Sequence, residues 1–310
     1  MSVIEQPKFK LYFLHPKFWL TWLGVIFLYS VSWLPYRLQI AMGKGLGRLL
    51  MKALPRRVAI ARRNLALAFP DKPADEIERL VKKNLENTGI AYFEVGIAWW
   101  WPNWRIKRKL HVHGEENLRD AQEGGKGVLM LLFHFLSLEV HARLHGFVEP
   151  AVGLYRPHNN AVMEYLQTKG RARSNKYMIQ RRDVKGMVNA IKNGEIAGYL
   201  PDQDYGRRRV VFAPFFAVPD ASTTTGTMLF ANHKNCNVIV SRCVRREDGT
   251  GYDVYYEPKL VNFPIGDDLA DATLINQLVE QAVLKAPEQY LWVHRRFKTR
   301  PQEDMPSYYS

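Results

Sequence analysis

Chemistry in this sequence is most legible at His134-Phe-Leu-Ser-Leu-Glu139. Five positions along a single helix turn through roughly 500°, so the two functional side chains would diverge there. They can converge if the histidine closes a strand, Ser137 caps the following helix and Glu139 lies in its first turn. A carboxylate behind an imidazole fixes the ring's tautomer and stabilises its charged form, which makes the ring a general base. For an arbitrary pair, a loop histidine and a surface glutamate are the commoner outcome, so this pair needs support from its surroundings. Competing constellations have less behind them. His141-Ala-Arg-Leu-His145 has a zinc-compatible i, i+4 spacing, but the second position is not the Glu of the zincin pattern. A third ligand would have to be Glu139 or His134, which leaves a metal-dependent membrane hydrolase as the weaker alternative. There is no G-x-S-x-G elbow, which argues against a serine hydrolase of that type. Gly43-Lys-Gly-Leu-Gly47 and Gly124-Gly-Lys-Gly127 lack the ending of a phosphate-binding loop. Neither Cys236 nor Cys243 has a histidine beside it to activate a thiol.

The elements around His134 favour such a site. Gly127–His134 reads as a buried strand, Ser137–His145 as a helix and Ala151–Tyr155 as a strand. Helices follow at Asn159–Arg173 and Val184–Lys192, then a strand at Ile196–Leu200, a helix at Ser222–His233 and a strand at Asn237–Val244. Gly249-Thr-Gly251 turns that strand into Tyr252–Tyr256, and a last helix covers Ala272–Lys285. Alternating strands and helices predict an α/β fold with a mostly parallel central sheet flanked by helices. Ligands in such folds gather at the carboxyl ends of the strands, where His134 emerges. Asp202 and Asp204 follow Ile196–Leu200 at the same sheet edge, where they could orient an arginine or a substrate.

Composition bounds the partners. The 310 residues have 47 % hydrophobic and 12 % aromatic content with mean hydropathy −0.27, which excludes both a polytopic membrane protein and a disordered chain. Two cysteines cannot build a disulfide framework and point to a reducing compartment. The net charge of +14 is concentrated: between Glu5 and Asp71 there are 11 Lys and Arg and no acidic residue. Within this stretch, Phe18–Leu34 carries no charge and has Trp19, Trp22, Trp33 and Tyr36 near its ends. That is close to the minimum of about 17 residues for a span, with aromatics where an interface favours them. The expectation is an N-terminal membrane anchor over 1–36, a basic membrane-proximal segment over 37–70 and the α/β domain over 71–310. The run is equally compatible with spanning or lying in one leaflet. The richer cationic flank, Arg37 to Arg63, leaves the main domain in the cytoplasm by the positive-inside rule and attracts anionic lipids. A basic excess fused to an apolar anchor argues against nucleic acid as the partner.

Several segments taken together make the reading specific. His-x4-Glu at a strand end resembles the His-x4-Asp/Glu signature of glycerolipid-type acyltransferases. Leu14–Gly24, Tyr155-Arg-Pro157, Arg171–Lys176, Pro201-Asp-Gln-Asp-Tyr-Gly206, Val211–Ala217, Thr223–Gly226 and Pro287–Pro301 are similar, in this order, to the late acyltransferases of lipid A biosynthesis. The opening and closing segments look most like the lauroyltransferase branch, with palmitoleoyl- and myristoyl-type transferases as the alternatives. This resemblance implies transfer of a fatty acyl chain from acyl carrier protein to a hydroxyl of an anionic Kdo-disaccharide lipid, at the bacterial inner membrane.

On that footing, His134 takes the hydroxyl proton, Glu139 orients the ring, and neither a metal nor another cofactor is required. Arg171 is the first candidate for binding the tetrahedral oxyanion or a substrate phosphate and Arg156 the second, because guanidinium stays charged and binds oxygens in a fork. Arg207-Arg-Arg209 and Arg295-Arg-Phe-Lys298 are candidate docking cations. Val211–Phe216 is a core strand that could also line an acyl tunnel.

Overall fold

The computed structural model describes residues 7–309. Four helices come first: α1 (Trp19–Ser32), α2 (Tyr36–Ala53), α3 (Pro55–Ala68) and the long α4 (Ala74–Trp100). The short α5 (Asn103–Lys107) leads to β1 (Leu110–His113), α6 (Glu115–Gln122), β2 (Gly127–Leu131), α7 (Leu138–His145) and β3 (Val152–Tyr155). Then follow α8 (Ala161–Arg171), β4 (Tyr177–Gln180), α9 (Val184–Lys192) and β5 (Ile196–Tyr199). The chain continues through β6 (Val210–Phe215), β7 (Val218–Thr224), α10 (Gly226–Ala231), β8 (Cys236–Arg245), β9 (Tyr252–Tyr256) and α11 (Asp268–Leu284).

Seven strands form one sheet in the order β1-β9-β8-β2-β5-β3-β4. Neighbours are parallel except the β8–β9 hairpin. This is the mostly parallel α/β sheet expected from the alternation of elements. β2 lies at its centre and is buried along its whole length, as a strand covered on both faces must be. Its alternate side chains separate: Leu129 and Leu131 join a core with α3, α9 and α11, and Val128 and Met130 join one with α6 and α7.

The sequence pattern fails in three places. β2 ends at Leu131, so His134 stands three residues beyond the strand. β4 has only four residues at the sheet edge and carries too little pattern to be seen. Val218–Thr224, its last three residues expected as helix, is a strand paired antiparallel with β6; its β-branched Thr223 and Thr224 suit the pleat, and only Gly226–Ala231 is helical.

The apolar run expected as an anchor forms a helix too short to span. α1 has 14 residues, about 21 Å of helix against a hydrocarbon core of roughly 30 Å. Among the described residues no helix is long and apolar enough to cross a membrane. The apolar run breaks before Pro35, where Gln39 Nε2 seals the turn by donating to the carbonyls of Ser32 and Leu34, both at 2.9 Å. α1 instead lies against α4, with the Phe27 and Phe93 rings 6.4 Å apart. Its far side is exposed: Leu20 is 82 % and Leu23 64 % accessible.

The basic segment after α1 is folded onto the domain. α2 and α4 cross at van der Waals distance because glycines face each other there. A Cβ on Gly47 would fall 2.2 Å from the Leu85 carbonyl oxygen, and one on Gly89 would fall 2.1 Å from that of Gly43. Gly45 faces open space. Gly47→Ala therefore lowers the unfolding free energy by roughly 1–3 kcal/mol or more through overpacking. Gly45→Ala, on the open side of the same helix, raises it by up to about 1 kcal/mol. Urea denaturation of the two variants measures both signs.

Candidate active site

β2 and β5 are adjacent and parallel, with Leu131 opposite Tyr199. Each chain then runs three residues past that pair, one to His134 and the other to Asp202, so the register brings these two side by side. Asp202 Oδ1 lies 2.6 Å from His134 Nδ1, and Oδ2 accepts the His134 backbone N–H at 2.7 Å. The Asp202 side chain is fully buried while that of His134 is 20 % accessible. Burial opposes ionisation of Asp202, but the His134 charge and the hydrogen bonds from His134 outweigh it and hold the carboxyl below its ordinary value. Among the described residues Nε2 of His134 has no protein partner, so the outer ring nitrogen is available to a substrate.

A strap formed by the residues after α11 holds this loop from behind. Leu291 N–H donates to the His134 carbonyl at 2.9 Å, and Leu136 N–H donates to that of Gln289 at 2.8 Å. The strap is fixed in turn by two buried asparagines. Asn64 of α3 donates to the carbonyls of Trp292 and His294, and Asn84 of α4 to those of Glu288 and Tyr290. Gln289 brackets the backbone of Arg245 at 2.9 Å on both sides. Arg245 is itself buried in a two-pronged pair with Glu94, both contacts at 2.7 Å.

Glu139 does not meet His134, and the expectation that it orients the ring is corrected. Its first-turn position on α7 turns it toward α4 and α8. Its Oε1 accepts from Trp99 Nε1 at 2.8 Å and from Arg171 Nε at 2.9 Å, while Oε2 accepts from Arg171 Nη2 at 2.8 Å. Burial pushes the Glu139 carboxyl up, yet the charge and hydrogen bonds of Arg171 and the Trp99 N–H more than reverse this, leaving it below its ordinary value. Arg171 is thus a partner of Glu139, and its guanidinium also lies 5.6 Å from the centre of the Tyr155 ring.

The other candidates disperse. Arg156 is exposed on the loop after β3. Asp204 is buried away from the imidazole, accepting from Thr299 N–H and Oγ1–H, both at 2.8 Å. Arg207 donates to the Pro301 carbonyl at 3.0 Å. Arg296 is buried and donates to the Ser222 carbonyl at 2.8 Å, whereas Arg295 and Lys298 are exposed. His141 Nε2 is 2.9 Å from Ser241 Oγ, and His145 Nδ1 is 2.7 Å from the Tyr256 hydroxyl. Burial pushes these two imidazoles down to about 3 and about 4. Among the described residues no three His, Cys, Asp or Glu side chains gather as a metal site. Phe215 belongs to the core.

A cavity of about 100 Å³ lies beneath α7, lined chiefly by apolar residues of β2, β3 and β5, with Glu139 and Arg171 among its polar groups. Its walls include Leu132 and Leu200, each two residues before a member of the His134–Asp202 pair.

Comparison with known proteins agrees in length and order. The family profile described as bacterial lipid A biosynthesis acyltransferase matches residues 6–299. The chain is 46 % identical to the lipid A biosynthesis lauroyltransferase of Escherichia coli K12, covering 98 % of this chain and 99 % of the relative. It is 42 % identical to the palmitoleoyltransferase of the same organism, over 96 % and 97 % of the two chains. Identity to a lipid A biosynthesis acyltransferase of Haemophilus influenzae is 44 %, over 98 % of each.

The Glu139–Arg171 pair makes an acid-stability prediction. Because the folded state holds the Glu139 carboxyl below its ordinary value, the pair's contribution is complete above that ordinary value, near 4.5. It is lost as pH falls through the lower folded value. Arg171→Met leaves a partly buried carboxylate without its cation and destabilises the protein by roughly 1–3 kcal/mol at neutral pH. Burial then raises the pKa of Glu139, so acid unfolding followed by near-UV circular dichroism begins at higher pH than in the parent.

Proposed function

The chain belongs to the bacterial lipid A biosynthesis acyltransferases, and from that membership we propose its donor, its acid–base residues and its place at the membrane. The donor is a fatty acyl thioester of acyl carrier protein, with lauroyl the favoured chain. The acceptor is a hydroxyl of the anionic Kdo-disaccharide lipid A precursor. One observation carries the assignment of the base: the 2.6 Å contact between His134 Nδ1 and Asp202 Oδ1.

With Nδ1–H donated to Asp202, Nε2 carries the lone pair. It takes the proton of the acceptor hydroxyl as the oxygen attacks the thioester carbonyl. The imidazolium so formed sits against an ionised, fully buried carboxylate, which stabilises it. When the tetrahedral adduct collapses, the C–S bond breaks and Nε2–H returns the proton to the departing sulfur. The products are the new ester and the free thiol of the carrier, and the ring ends as it began. Asp202 thus takes the role the sequence suggested for Glu139. Glu139 acts one step back, joining Arg171 of α8 to Trp99 of α4 over the apolar cavity, which receives the acyl chain.

The exposed face of α1 supports attachment to one leaflet without crossing it. Leu20, Leu23 and Ile26 enter the acyl boundary, and the surrounding acid-free stretch of cations meets anionic headgroups at about 1 kcal/mol each. On this reading the catalytic domain lies on the cytoplasmic face of the inner membrane, the side that the richer cationic flank favours.

The reading is tested by supplying a panel of acyl carrier protein thioesters of varied length with the lipid acceptor. Lauroyl transfer is expected, and no product from any donor would refute it. His134→Ala lowers turnover by about 10²–10⁴-fold with folding intact, and Asp202→Asn by about 10²-fold or more, since the amide cannot stabilise the imidazolium. Chain length is tested separately at Gly198 in the cavity wall, where a Cβ would meet only the Leu132 Cδ1 at 3.2 Å and the Val152 carbonyl at 3.9 Å. Gly198→Val reduces this space and shifts the preferred donor in the same panel toward shorter chains.

A further inference from the structure

A second, larger concavity lies on the other side of the strap. It has a volume of about 930 Å³ and is lined by Arg56, Arg57 and Arg63 of α3, Arg295 of the strap, and Tyr308 and Tyr309 near the C-terminus. Three segments far apart in sequence are tied together to form it. Arg63 Nε donates to the Tyr308 carbonyl at 2.7 Å, Arg57 to that of Val293 at 3.3 Å, and Phe297 N–H to the Tyr309 hydroxyl at 2.9 Å.

Among the described residues none of the pocket's four guanidiniums pairs with a carboxylate, whereas Arg62, the immediate chain neighbour of Arg63, is held in two contacts by Glu78. Among the described residues the side chains of Arg56 and Arg295 make no hydrogen bond, and the Arg295 guanidinium lies 5.3 Å from the centre of the Tyr309 ring. The four exposed cations gathered around one hollow make a local positive potential that attracts an anion of several charges. Guanidinium forks match phosphate or carboxylate oxygens two at a time, and Tyr308 and Tyr309 add aromatic surface beside them, with Arg300 and Arg295 over one face of each ring. The volume falls in the usual range of small-ligand pockets, about 300–1,000 Å³.

Its position adds the rest. Leu291 is hydrogen-bonded to the His134 carbonyl, and Arg295 follows four residues later, a separation of at most about 14 Å. At the other end, the exposed Leu49 and Leu54 border α3, so an amphiphile with its chains in a leaflet could present its headgroup here.

We propose that this four-arginine pocket binds the phosphorylated saccharide headgroup of the acceptor lipid and so fixes which hydroxyl reaches His134. The proposal rests on the acyltransfer reading above. A concave pocket with aromatic rings favours this headgroup over the surface of an acidic protein, which a flat or convex basic patch would suit better.

The test uses the full-length enzyme with Arg56→Ala/Arg295→Ala, which removes two charges and no internal hydrogen bond. The KM for the phosphorylated acceptor should rise about tenfold or more. The kcat and the KM for the acyl donor should stay within about twofold, and the preference over a phosphate-free acceptor should disappear. Arg56→Lys/Arg295→Lys retains charge without the fork and should recover part of the loss. A rise in donor KM alone would assign the pocket to the carrier protein and overturn the proposal. Unchanged KM values, or an equal rise for both acceptors, would overturn it as well. Flotation with zwitterionic vesicles carrying the phosphorylated lipid, on the His134→Ala background, reads the pocket without turnover. Binding should fall about tenfold with the arginine pair replaced; unchanged binding would overturn the proposal even if the parent enzyme forms no product and the transfer reading itself fails.

Discussion

The site depends on the pairing of β2 with β5. Because the strands are parallel and in register at Leu131 and Tyr199, their continuations leave the sheet together and bring an imidazole to a buried carboxylate. A slip of one residue would turn one of the two side chains to the opposite face. The rest of the molecule limits that freedom. Both faces of β2 are covered, so its register is set by two cores at once. The strap then fixes the His134 loop by backbone hydrogen bonds on either side of Phe135. Asp202 itself is tied twice, to the ring and to the backbone N–H of His134.

Around this centre, polar groups inside the protein act as connectors between elements. Asn64 and Asn84 each satisfy two strap carbonyls from a helix. Glu94 on α4 holds Arg245 on β8, and Tyr252 on β9 donates to the same carboxylate at 2.6 Å. Glu139 joins α7, α4 and α8 through one carboxylate. A buried ion pair is weak evidence for net stability, since desolvation offsets much of the attraction. Its directional contacts nevertheless define which surfaces meet. Through these contacts α4 is tied to α7, β8 and β9.

In the N-terminal region composition and geometry carry different information. Apolar residues and cations are concentrated there, but the proline after Leu34 and the packing of α1 on α4 leave a helix shorter than a bilayer core. The same acid-free stretch also contains α3, whose arginines divide between an ion pair with Glu78 and a concave surface at the strap. Net charge alone could not distinguish these uses.

The sequence by itself determined the family, the alternating α/β plan and the central strand at Gly127, because these rest on local pattern and on motifs in fixed order, and it singled out His134 as a residue at the end of that strand. It also marked Asp202 as a residue at the right edge of the sheet. Tertiary structure decided which carboxylate serves the imidazole. Glu139 is nearer along the chain, yet its place in the first turn of α7 directs it to Arg171 and Trp99. Asp202 is 68 positions from His134 in sequence and reaches the ring because β5 lies next to β2. Strand order is a long-range choice made by packing, and no local pattern encodes it. The same holds for the strap and the arginine hollow, whose members lie at opposite ends of the chain and become neighbours only when α3 and the C-terminal residues close on one another.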